Sequence, residues 1–285
     1  MIKSRSASLA VIIFVYVLAT FGGIVSYNFF HKNFSIEQSL LFADIFATAI
    51  VFAFSLIFDN ASVYDPYWSV QPPVILGAFV IGNKFSETNN NGLLGFLLFL
   101  VVVIWAVRLT ANWIYNFESF AYQDWRYVML KEKSGKAYPL INFLGIHLFP
   151  TLVVYFCVLP AVTVIYTGAA FRPLCLLFLL LSLSATILQG TADFQMHRFR
   201  NSGTGGFIRT GVWKHSRHPN YAGEILMWWG VGLASFTAMP DRFYLLAGAL
   251  INTLMFLFVS IPMADKRQSR KPGFEEYKKE TRILL

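Results

Sequence analysis

The sequence predicts an all-α fold, a single polytopic bundle of about eight transmembrane helices within a range of seven to ten. Three observations predict it. Of 285 residues, 56% are apolar and only 13% charged, whereas a soluble globular domain carries about 25% charged residues. Apolar runs of the roughly 20 residues needed to cross a ~30 Å hydrocarbon layer recur along most of the chain. The basic residues gather on alternate loops, as in membrane proteins of fixed sidedness. A soluble enzyme is excluded.

Sustained apolar stretches fall at 9–30, 39–58, 70–82, 92–113, 140–166, 171–189, 221–237 and 243–263. The first follows Lys3 and Arg5, is long enough to span, and has no small-x-small exit before Tyr27-Asn28-Phe29, so it reads as a retained helix rather than a cleaved leader. The third is short. It lies between Gln71-Pro72-Pro73 and Gly82, which fits a tilted, re-entrant or partly buried helix. The fifth contains Pro150 and Pro160, where kinks are tolerable if neighbouring helices satisfy the freed carbonyls. Asn89-Asn90-Asn91 reads as a polar turn. Residues 1–58 form N-terminal helices and 59–285 the domain that carries the motifs, the two together making one integrated membrane domain.

With all eight spans in place, 19 of the 23 Lys and Arg residues fall on one side, and only Lys32, Lys84, Arg172 and Arg242 on the other. The positive-inside rule then places both termini in the cytoplasm. The formal net charge of +8 is therefore mostly topology, and nucleic acid is not an expected partner. Cys157 and Cys175 lie in apolar segments outside any CxxC or Cys/His cluster, so neither a disulfide framework nor a metal site is expected.

The densest polar stretch runs from Gln189 to Glu224. Helical spacing sets Asp193, His197 and Arg200 on one stripe, an acceptor beside cationic donors. A glycine-containing loop follows, then Arg209, Lys214, Arg217 and His218 before Pro219, a residue suited to the first turn of a helix whose free amides favour phosphate. On that helix Arg217, Tyr221, Glu224 and Trp228 repeat at one face. Glu224 lies about one turn inside an apolar run, where an ionisable group is costly unless paired or lining a polar cavity. Its structural alternative is an ion pair with Arg200, Arg209 or Arg217. A second cluster, Asp59 to Ser69, holds Tyr64, Asp65 and Tyr67, groups able to polarise or protonate a substrate. A third begins with Arg108, Asn112 and Asn116. The charges at 265–267 and 274–281 are placed to cover the cytoplasmic mouth.

Several ordered segments resemble the steroid 5-alpha-reductase superfamily, most closely its bacterial branch of membrane proteins of unassigned function. They are Ser62-Val-Tyr-Asp65-Pro-Tyr-Trp68, Trp105-Ala-Val-Arg108-Leu, Gln123-Asp124-Trp125-Arg126-Tyr127, Ala192-Asp193 through Arg200, Gly211-Val-Trp213 through Glu224, and Phe274-Glu-Glu-Tyr277, spanning roughly 59–285. The resemblance implies a reductase of the bacterial inner membrane that takes hydride from NADPH and reduces a conjugated carbon–carbon double bond in a lipid-soluble substrate. Its cofactor residues carry over onto Asn116, Asp193, Arg200, Asn220, Tyr221 and Glu224, the last matching the carboxylate that holds the nicotinamide amide. His197 stands where related reductases often have arginine. Arg200, Arg209, Lys214 and Arg217, with His218 beside them, would take the phosphates. Trp105 stands where the steroid enzymes put a catalytic tyrosine, and the second span has no glutamate. The proton donor is therefore expected among Tyr64, Asp65, Tyr67 and Tyr115.

The Arg217-His218-Pro219-x-Tyr221 core also resembles membrane methyltransferases of the isoprenylcysteine or phospholipid type, which use S-adenosylmethionine. A lipid-binding protein of the same fold without catalysis is the third reading. The expected partners are a lipid-soluble small molecule and membrane lipids, with no obligate protein partner evident.

Overall fold

A computed structural model describes residues 2–82 and 92–285; the expected turn at Asn89-Asn90-Asn91 lies outside the described residues. The helices are α1 (Arg5–Phe30), α2 (Ile36–Ile57), α3 (Tyr67–Gly82), α4 (Gly92–Asn116), α5 (Trp125–Ser134), α6 (Tyr138–Ile141), α7 (Phe149–Thr167), α8 (Pro173–Asn201), α9 (Pro219–Ala238), α10 (Ala247–Met255), α11 (Ile261–Gln268) and α12 (Phe274–Glu280). Among the described residues no strand forms, and the fold is the expected all-α membrane bundle.

Among the described residues, six stretches are long and apolar enough to cross a membrane: Arg5–Phe30, Ile36–Ile57, Gly92–Asn116, Trp125–Thr167, Pro173–Asn201 and Phe243–Gln268. Two expected spans fall outside that set. The short third one belongs to α3, only 16 residues long. The seventh belongs to α9, which is diluted by Glu224, glycines and tryptophans and is buried along most of its length. A helix covered by protein need not be apolar all round. Lipid-facing character shows elsewhere: α1 buries Val15 and Ala19 completely yet leaves Ile13, Phe14, Val17 and Phe21 more than half exposed, a distribution that suits hydrocarbon and not water.

Local chemistry sets the helix ends. Ser35 and Gln38 form a reciprocal capping box at the start of α2. Pro173 and Pro219 occupy first-turn positions of α8 and α9, where a missing N–H is harmless. The expected irregularity at Pro150 takes the form of a π-helical segment, Asn142–Leu148, just before it; a second one, Phe256–Ser260, precedes Pro262. A proline ring crowds the carbonyl four residues back, and a wider turn relieves that contact.

The chain divides into two compact units, unit 1 comprising 1–75 and 109–155, and unit 2 comprising 76–108 and 156–285. Unit 1 is built on the α1–α2 hairpin, with Ile12, Val15, Ala47, Val51, Tyr64, Tyr67 and Phe120 in one buried cluster. Asn60 ties its connecting loop, donating to the Phe120 and Tyr122 carbonyls and accepting from the Ser62 amide.

Unit 2 is built on the pairing of α8 with α9. Two glycines a heptad apart make it close. A Cβ on Gly223 would stand 2.5 Å from Gln189 Cγ and 2.7 Å from the Ala185 carbonyl oxygen; on Gly230 it would stand 2.1 Å from Ser182 Oγ and 2.6 Å from the Phe178 carbonyl oxygen. Small residues are how membrane helices bring backbones together. Gly230→Ala is expected to lower stability by about 1–3 kcal/mol through overpacking. Gly232→Ala, whose Cβ would meet nothing closer than 3.4 Å, serves as the control in thermal unfolding of the detergent-solubilised protein. Equal melting temperatures for the two variants would refute the close packing.

Candidate functional site

Three helical segments of unit 2 converge on a buried polar cluster. Glu224 on α9 is 5% exposed. Its Oε2 accepts from Trp105 Nε1 at 2.9 Å and its Oε1 from Trp228 Nε1, one turn along α9, also at 2.9 Å. Arg108 Nη1 donates to Asp193 Oδ2 at 2.7 Å, while Nη2 donates to Gln189 Oε1 and lies 4.0 Å from Glu224 Oε2. Helical spacing explains the set: Trp105 and Arg108 are three apart on α4, Gln189 and Asp193 four apart on α8, Glu224 and Trp228 four apart on α9. One guanidinium therefore serves two carboxylates, with two indoles closing the far side. The Gln189 Nε2 and Arg108 Nε atoms are buried without a hydrogen-bond partner.

This corrects the expected partner of Glu224. Its cation is Arg108, not Arg200, Arg209 or Arg217. The i, i+4, i+7 reading also extended α9 too far back: Arg217 precedes Pro219, where the helix begins, and so does not share Glu224's face. Of the expected cofactor residues, Asp193 and Glu224 come together through Arg108. His197 is partly buried one turn beyond Asp193, and Arg200 is exposed. Asn220 Oδ1 accepts from the Tyr221 amide, and the Tyr221 ring stacks on His218 with an interplanar angle of 3°. Asn116, in unit 1, is exposed and donates to the Asn112 carbonyl.

Arg209, Arg217 and His218 clasp the C-terminal segment. Arg209 Nη2 donates to the Gly273 carbonyl at 2.7 Å. Arg217, 7% exposed, donates to the Lys278 and Thr281 carbonyls and to Asp265 Oδ2, and its amide donates to the Arg282 carbonyl. His218 Nε2 meets Asp265 Oδ1 at 2.9 Å. Tyr277 donates to the Trp213 carbonyl. The charges expected over a mouth are thus docked on residues 206–218 of the same unit. Lys214 remains exposed.

Unit 1 holds the expected proton donors. Tyr64 is buried, sharing a 2.8 Å hydrogen bond with Thr151, which also meets Thr48 at 2.9 Å. The Tyr67 ring lies 5.6 Å from Tyr64 and 5.5 Å from Tyr16. Asp65 accepts from the Tyr127 hydroxyl, and burial pushes its carboxyl up to about 6 against the opposing pull of Arg126. Tyr115 is 60% exposed and lies apart from this cluster.

Sequence reasoning passed over one member. Asp44 on α2 is 4% exposed beside Gln71 and Tyr67, and its Oδ2, both amide atoms of Gln71 and His147 Nε2 are buried without hydrogen-bond partners. The signal was present: a carboxylate about two turns inside a 22-residue apolar helix meets the same criterion that singled out Glu224.

A family described as "Protein of unknown function (DUF1295)" matches residues 51–281. The chain belongs to the DUF1295 family. The uncharacterized protein C594.04c of Schizosaccharomyces pombe (strain 972 / ATCC 24843) is 25% identical to this DUF1295 chain over 258 residues, covering 80% of the chain and 71% of that protein. No solved structure matches. The DUF1295 match takes in Arg108, Gln189, Asp193 and Glu224 and the clasp as far as Thr281, and leaves Asp44 outside it.

Two outcomes follow for this DUF1295 protein. Removing the guanidinium in Arg108→Met leaves two carboxylates without their cation and is expected to cost about 3–5 kcal/mol; an unchanged melting temperature would mean the ion triad contributes nothing. Burial holds the His218 imidazole below its ordinary value, outweighing the pull of Asp265, while Arg217 adds to the lowering. A histidine lowered in the folded state stabilises docking fully above its unfolded value of about 6.5 and loses that contribution as pH falls below it. Protease cleavage within residues 265–282 should accelerate between pH 7.5 and pH 5, and should lose that dependence in His218→Gln.

Proposed function

We propose that this chain is a membrane-embedded reductase that uses NADPH to reduce a conjugated carbon–carbon double bond in a lipid-soluble substrate. The observation that carries the reading is the donor and acceptor set around Glu224: a buried carboxylate held by two indoles, with the Gln189 side-chain amide alongside. A carboxamide offers one acceptor and two donors, and this set is its complement, an amide donor from Gln189 and carboxylate lone pairs from Glu224. The residues fit the nicotinamide end of the cofactor. NADPH, when bound, supplies hydride.

The protein's own residues do the rest. Trp105 and Trp228 fix the carboxylate and keep it dry, and Arg108 balances it against Asp193. Arg209, Arg217 and His218 hold the C-terminal segment, which leaves the exposed Arg200 and Lys214 as the cations offered to phosphate. Charge developing on a substrate carbonyl calls for a proton donor; the candidates expected from the sequence were Tyr64, Asp65, Tyr67 and Tyr115. The positive-inside distribution supports cytoplasmic termini, and the resemblance to the bacterial branch supports an inner-membrane location.

Isothermal titration of purified protein with NADPH and with S-adenosylmethionine tests the cofactor. NADPH alone is expected to bind, about tenfold or more weakly in Glu224→Gln for loss of a charged hydrogen bond. Binding of S-adenosylmethionine alone would make the chain a methyltransferase instead. The protein is expected to oxidise NADPH with at least one member of a panel of enones and enoyl lipids; binding without any oxidation would favour the non-catalytic reading.

A further inference from the structure

Apart from both clusters, unit 1 contains a cavity of about 310 Å³ between the C-terminal end of α2 and the segment running from α5 into α6. Its wall carries Asp59, Lys131, Lys136 and Asn142 over an apolar floor of Leu56 and Pro139. It lies just past Ile57, the end of one apolar stretch, and near the start of another, Trp125–Thr167. Ligand pockets range over about 300–1,000 Å³, so this one suits a headgroup and is too small for a dinucleotide.

The wall has both polarities. Lys131 Nζ bridges Asp59 Oδ1 and Oδ2 at 2.6 and 2.7 Å, yet the Asp59 side chain remains 73% exposed and can accept more. Asp59 holds a φ of 49°, which among the described residues only glycines otherwise adopt; such a conformation costs free energy and persists where the surroundings or a function require it. Lys136 adds a second, exposed cation. Asn142 is 2% exposed; its Nδ2 donates to Ser55 Oγ at 3.1 Å, and its Oδ1 has no hydrogen-bond partner. A buried acceptor in a pocket wall, left without a donor, points to a donor that arrives with a ligand.

We propose that this pocket binds a phosphoethanolamine group presented by a membrane lipid. The phosphate lies with the ammonium groups of Lys131 and Lys136, and the primary ammonium donates to Asp59 and Asn142 Oδ1. A phosphate alone would satisfy only the lysines. A choline headgroup has equal charge but no N–H to give to Asn142. The apolar floor receives the glycerol end, which a soluble phosphoester lacks.

Native mass spectrometry of the detergent-purified chain, titrated with phosphatidylethanolamine, phosphatidylcholine and free O-phosphoethanolamine, tests the assignment. Phosphatidylethanolamine should be retained about tenfold over phosphatidylcholine, the worth of one charge-assisted hydrogen bond. Asn142→Leu, which removes the unsatisfied Oδ1, should bring the two lipids close to parity, and Lys136→Gln, at an exposed position, should weaken retention of both lipids alike, while melting temperatures hold. Equal retention by the wild type, an unchanged preference in Asn142→Leu, or undiminished retention of both lipids in Lys136→Gln would overturn the site. Displacement of the lipid by an equal concentration of free O-phosphoethanolamine would overturn the lipid as its source.

Discussion

Inside an apolar bundle a charge survives only in company, and in unit 2 that company is the guanidinium of Arg108. It holds Asp193 at 2.7 Å and stands 4.0 Å from Glu224. Neither carboxylate is isolated in low dielectric, and the fork geometry of arginine lets one side chain serve α8 and α9 at once. Helix packing is fitted to the same end. Gly223 immediately precedes Glu224, and the side chain it lacks is the volume that Gln189 occupies. The close approach of α8 to α9 and the polar cluster are thus one arrangement: widening the helix pair would separate Gln189 and Asp193 from the carboxylate they accompany.

Much of the fold was legible because bilayer physics is strict. Apolar length and basic asymmetry identify spanning helices without reference to tertiary contacts, and the membrane-bundle class followed from them. The weak points were α3, whose 16 residues are short for a span, and α9, where polar and small residues mark a helix that meets protein more than lipid, a distinction to which hydropathy is blind. Glu224 was legible on the same grounds. Its partner was not, because helical periodicity compares residues on one helix, whereas Trp105 and Glu224 are 119 positions apart.

The arginine-rich stretch illustrates a different limit. Basic residues beside glycines and a helix start read as an anion cradle, and nothing local distinguishes a guanidinium aimed at phosphate from one aimed at peptide carbonyls. Arg217 makes the second choice, and its acceptors lie some 60 residues away at Lys278 and Thr281. Asp44 was missed for a simpler reason: attention to the glutamate missing from the second span obscured the aspartate present in it. Its neighbour Gln71 is an ordinary polar residue until the fold brings it beside the Asp44 carboxylate.

The clasp bears on how the protein is made. Arg217 is translated long before Asp265, Lys278, Thr281 and Arg282, so during synthesis its guanidinium emerges with none of its native acceptors. Until the ribosome has delivered the chain as far as Arg282, the stretch ahead of α9 must remain hydrated at the membrane surface. Closure of this region is accordingly a late, post-insertional step in biogenesis, and a nascent chain stalled before Asp265 would present a water-facing arginine where the mature protein presents a sealed surface.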